Sequence, residues 1–97
     1  MTRQAADSEN ILRRRLGSNV RARRNGALLT LKKASERAEM HWRHWQKIEA
    51  GQTNVTLFTL VRVADALNTD PSSLLSEPPV PPVAVAPPQP QPEVSLS

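Results

Sequence analysis

Eight of the chain's nine prolines fall after residue 77, in the closing stretch "SEPPVPPVAVAPPQPQPEVSLS". Proline lacks an amide donor and fixes φ, so this stretch builds neither helix nor central strand. Extended polyproline II or a disordered, proline-rich tail is the expectation for residues 76–97. What folds must do so within residues 1–75, as one small domain. The chain has no cysteine, which excludes a disulfide framework and a thiolate metal site.

Within those 75 residues the apolar pattern is helical throughout, and no segment alternates as a strand does. The fold class expected is all-α. A first helix is expected over about 8–24, with Ile11, Leu12, Leu16 and Val20 near one face and arginines filling the rest. The first ten residues are expected to be loosely ordered. Gly26 is the expected stop of the first helix. Thr30 is placed to cap a second, short helix through Ala38. A third ends at Gly51. The fourth carries an apolar stripe at Leu57, Leu60, Val61, Ala64 and Leu67. A fifth opens at "DPSSLL", with Asp70 as cap and Pro71 at the first helical position.

Charge narrows the partner. All 13 basic residues lie within residues 1–75, against seven of the nine acidic ones, a net charge of +6 there and +4 for the whole chain. A compact basic body suits a polyanion, although a merely solvated basic surface would carry the same sum. No apolar run approaches the roughly 20 residues that a membrane helix needs. The N-terminus "MTRQAADSEN" has no apolar core of the signal-peptide kind. A cytoplasmic, DNA-associated location without membrane contact is expected. The spacing Pro78-x-x-Pro81 is of the kind that docks an aromatic groove, which makes the tail a candidate contact for a protein partner.

The densest chemistry sits in "EMHWRHWQKIEAG", residues 39–51. Trp45 and Ile48 are three apart on a helix and share a face, which reads as core. Arg43 and Lys47 are four apart on another face. With His41, His44 and Gln46 they form a donor-rich outer surface. A short helix, a tight turn and a second donor-rich helix is what reading the major groove requires. Trp42 cannot pair bidentately with a base; it could pack on a thymine methyl or a sugar. A metal site is disfavoured: His41 and His44 form a pair, but no carboxylate–histidine motif surrounds them. No nucleophile stands beside either histidine, so no catalytic residue, enzyme activity or cofactor is expected.

Three pieces of this chain resemble the phage-repressor and Cro-like helix-turn-helix regulators, the xenobiotic-response-element family. "LGSNVRARR" is similar to the first helix of that family. "LTLKKASERAEMHWRHWQKIEAG" is similar to its helix-turn-helix, ending in Ile-Glu-x-Gly. "NVTLFTLVRVADALNTDPSSLL" is similar to its fourth and fifth helices. The pieces come in family order, without gaps, over about residues 16–75. The resemblance implies a five-helix lambda-repressor-like DNA-binding domain. It implies a structural ion pair between Arg24 and Glu49. It implies DNA-facing roles for His41, Trp42, Arg43, His44 and Lys47, with Trp42, Arg43 and Lys47 reading bases. Thr30 would hold a phosphate at the start of the second helix, and Gln52, Thr53 and Asn54 would contact the opposite flank. Leu31 stands where the family has a polar residue, Glu39 where the turn usually carries glycine, and His41 where serine or threonine usually caps. Arg23 takes a usually apolar position in the first helix, and Ser35 a small core position.

The function expected is a sequence-specific double-stranded DNA-binding transcriptional regulator. Repression as a homodimer on a palindromic operator is the simplest form, with the dimer contact near the fifth helix. The alternatives are an antitoxin that autoregulates its operon, and a protein-interaction module that uses Leu31 and Trp42 as an apolar patch.

Overall fold

A computed structural model describes residues 3–77. The expected tail therefore lies, from residue 78 onward, outside the described residues, as does Pro78-x-x-Pro81. Five helices follow one another: α1 (Arg3–Gly26), α2 (Leu31–Arg37), α3 (Trp42–Glu49), α4 (Leu57–Ala66) and α5 (Pro71–Leu75). There is no strand among the described residues. The core gathers Leu16 and Val20 of α1, Trp45 and Ile48 of α3, Leu60, Val63 and Ala64 of α4, and Leu74 of α5.

α1 begins earlier than expected, at Arg3, so the first ten residues are helical over most of their length. Gln4, Ala5, Ala6 and Glu9 are good helix formers, which favours extending the helix beyond its buried part. Residues 4–12 are exposed, including Ile11 and Leu12, which were expected on the inner face. The core begins only at Leu16. From there α1 presses directly on the end of α3. A Cβ on Gly17 would lie 2.5 Å from the Glu49 carbonyl oxygen and 2.7 Å from that of Ile48, so the two backbones touch. Asn19, also buried, donates through Nδ2 to the carbonyls of Leu74 (2.9 Å) and Ser76 (2.7 Å). Those oxygens are orphans of the α5 terminus, and Asn19 satisfies them while fixing α5 to α1.

The helix starts share one device. Thr30, His41, Thr56 and Asp70 stand at the N-caps of α2 to α5, each accepting a backbone N–H of the first turn. The helix ends share another. Leu28, Glu39, Gly51 and Asn68 take φ of +60°, +57°, +71° and +57°. After each, the next N–H returns to a carbonyl five residues back: Leu29 to Arg24, Met40 to Ser35, Gln52 to Lys47 and Thr69 to Ala64. These are Schellman ends. The first closes α1, which ends at Gly26 as expected, with the left-handed residue two positions on at Leu28.

The stripe on α4 is also rotated from the one expected. Leu60, Ala64 and Leu67 are buried, joined by Val63 and Ala66. Leu57, Phe58 and Val61 face outward, 80%, 69% and 44% exposed. Leu57 and Val61 therefore leave the core face.

Candidate nucleic-acid interface

The site is an outer helix face whose orientation is set from within. On the inner side of α3, Trp45 and Ile48 are buried against α1 and α2. Glu49 collects three donors there. Arg24 Nε donates to Oε2 at 2.6 Å and Arg24 Nη2 to Oε1 at 3.1 Å, a bidentate pair, and Trp45 Nε1 donates to Oε2 at 2.7 Å. The remaining Arg24 nitrogen, Nη1, donates to the Leu29 carbonyl at 2.9 Å. The hydrogen bonds from Arg24 to Glu49 raise the guanidinium's pKa above its ordinary value, with burial opposing the shift. The Glu49 carboxylate thus ties the end of α1 to the buried face of α3, and Arg24 adds the loop after α1.

The turn between α2 and α3 is held from α4. Arg62 donates through Nε to the Ala38 carbonyl (2.9 Å) and through Nη2 to the Glu39 carbonyl. These oxygens close α2, where a cation is favoured. Phe58 lies beneath the same guanidinium, its ring centre 5.3 Å from Cζ. The sequence reading did not single out Arg62. Its signal is the one basic residue in the mostly apolar run "LFTLVRVADAL".

His41, Trp42, Arg43, His44 and Lys47 are all exposed. His41 is the N-cap of α3: its Nδ1 accepts the Arg43 N–H at 3.1 Å, which requires an unprotonated Nδ1. The His41 ring stacks on Trp42, with centroids 5.7 Å apart and planes at 26°. The Arg43 guanidinium carbon lies 5.3 Å from the Trp42 ring centre. Lys47 follows Arg43 by four residues. At the far end of α3, Gln52 and Asn54 are exposed and Thr53 half-buried. The Asn54 side-chain oxygen accepts from Arg13 Nη1 at 2.8 Å, which fastens that loop to α1. Thr30, at the start of α2, accepts the Lys33 N–H at 3.0 Å. Leu31 is half-buried against the core edge, beside Arg24 and Glu49. Among the described residues, no group of three His, Asp or Glu side chains could hold a metal ion.

A family profile described as a helix-turn-helix domain matches residues 15–75. The chain belongs to this helix-turn-helix family of DNA-binding transcription regulators. The crystal structure of the clp gene regulator ClgR from Corynebacterium glutamicum is similar, with 26% identity and a TM-score of 0.63 over 66% of this chain and 68% of that one. The restriction-modification controller protein C.AhdI from Aeromonas hydrophila shares 24% identity, with a TM-score of 0.62 over 64% of this chain and 94% of that one. The hypothetical transcription factor NHTF from Neisseria shares 22%, with a TM-score of 0.67 over 69% and 77%. The last two likenesses speak to the fold. No curated protein sequence matches. In this helix-turn-helix, α2 and α3 are the paired helices. No described helix is long and apolar enough to cross a membrane.

Proposed function

We propose that the chain is a sequence-specific regulator that lays the outer face of α3 in the major groove. The observation that carries this reading is the division of α3 into two faces. Trp45, Ile48 and Glu49 lock one face to the domain, while Trp42, Arg43, His44 and Lys47 crowd the other, with no acid among them. Arg43 and Lys47 are the base-reading groups, and Trp42 joins them. His41 and His44 flank them toward the phosphates. Thr30, with the first amides of α2, and Gln52, Thr53 and Asn54 contact the two backbone flanks.

The protein acts as a homodimer on two-fold related half-sites about one helical turn apart. The exposed apolar face of α4, formed by Leu57, Phe58 and Val61, supports pairing, since an exposed apolar patch marks an interaction surface. Repression by occluding polymerase follows as the simplest mechanism for a small DNA-bound domain.

Selection from a random duplex pool tests the reading, followed by titration of the selected site at several salt concentrations. The reading requires a two-fold symmetric site. It also requires log Kobs to fall linearly with log salt, at about 0.9 per phosphate neutralised. A flat salt response, or no enriched sequence, contradicts it.

A further inference from the structure

α3 carries one large apolar side chain that its packing does not use. Trp42 occupies the first helical position and is 41% exposed. It has partners nonetheless. The His41 ring stacks on it, and the Arg43 guanidinium lies over it at 5.3 Å. His41 is itself fixed by the capping bond to the Arg43 N–H. The indole is thus a shaped surface at the tip of the helix, with part of its ordering entropy already spent in the free protein.

The chemistry of that surface limits what it recognises. Indole has one donor and no acceptor, and most of its area is apolar. The floor of the major groove offers one apolar feature, the 5-methyl group of thymine. 5-Methylcytosine carries the same group. Arg43, whose guanidinium carbon lies 5.3 Å from the ring centre, carries a planar fork of N–H donors that matches guanine O6 and N7.

We propose that Trp42 is a specificity-determining residue that packs on the 5-methyl group of a pyrimidine, next to a guanine taken by Arg43. The proposal rests on the reading of α3 as the DNA-facing helix and names what that helix selects. Its contribution is the burial of a methyl group, about three- to four-fold in affinity per half-site.

The test uses the full chain and the site enriched from a random duplex pool. Each thymine of a half-site is replaced in turn by deoxyuridine, which removes the methyl and keeps the base pair. One replacement per half-site should weaken wild type about three- to four-fold, and both half-sites together about tenfold. Trp42→Ala should bind the thymine and uracil duplexes alike. Trp42 is exposed, and circular dichroism checks that the variant folds. At the same position, a 5-methylcytosine–guanine pair should bind more tightly than cytosine–guanine by a similar factor if the methyl alone is read. Equal binding there assigns the preference to thymine, through its methyl together with its own edge. The proposal is overturned if every uracil duplex binds wild type like the parent. It is equally overturned if Trp42→Ala keeps the full uracil effect, or weakens all duplexes uniformly. A site bound tightly but indifferent to the methyl removes this inference alone. A pool that yields no site removes the DNA-reading assignment and this inference with it.

Discussion

Glu39 sits at φ +57° with its side chain in solvent, so it has the strain of the left-handed region and little to offset it. Its ion pair with Arg62 spans 4.0 Å and is exposed, which is worth little. Glu39→Gly should therefore stabilise the domain by about 1 kcal/mol in urea unfolding, because glycine adopts that conformation without a Cβ clash. Gly17 is the opposite case. Gly17→Ala would drive a Cβ into two carbonyl oxygens of α3 and separate helices that now touch, at a cost of about 1–3 kcal/mol or more. The pair Arg24–Glu49 sits between these in kind: nearly buried, bidentate and shared with Trp45. Removing one partner, as in Arg24→Met, should cost about 3–5 kcal/mol, because the carboxylate stays behind with one donor. Folding raises the Arg24 pKa, so the stabilisation it brings is complete below the arginine's ordinary value and fades only in more strongly alkaline solution. Melting followed up to about pH 10 should show no loss from this pair.

At the scale of elements, the sequence is most readable where local chemistry decides. Asp70 and Pro71 announce α5, and Thr30 announces α2, because caps act over three residues. Trp45 and Ile48 announce the inner face of α3 by spacing. α4 was misphased because it is apolar on most of its circumference. Leu57 and Val61 extend one stripe from Leu60 as well as Val63 and Ala66 extend another, and only packing against α2 and α5 selects between them. The end of α1 at Gly26 is legible, but the left-handed turn after it falls at Leu28, where no glycine signals it. Gly17, Asn19 and Arg62 act through partners 23 to 57 residues away, where spacing rules have no reach. Arg62 offers a check on how the elements fit. Arg62→Met removes the donors from the α2 terminus, and about 1–2 kcal/mol of stability should go with them. It should also weaken DNA binding by more than Glu39→Gly does, because the turn that aims α3 loses its clamp.

For the whole molecule, α3 is carried on the other four helices with its polar face outward, and α4 leaves an apolar face outward as well. If that face pairs two copies, Leu57→Glu should shift sedimentation toward monomer and weaken binding to a two-half-site duplex far more than to a single half-site. The central claim, however, is that the outer face of α3 reads DNA. Equilibrium titration of the selected duplex at one fixed salt concentration, with wild type, Arg43→Ala and Lys47→Ala, tests it most directly. Loss of Arg43 should reduce affinity by about 1–3 kcal/mol and relax preference at one base position. Lys47→Ala should weaken binding as well, with relaxed preference at another position if it reads a base and uniformly across sequences if it touches phosphate alone. Two folded variants that bind the selected site as wild type does would contradict the assignment of α3 as the reading helix.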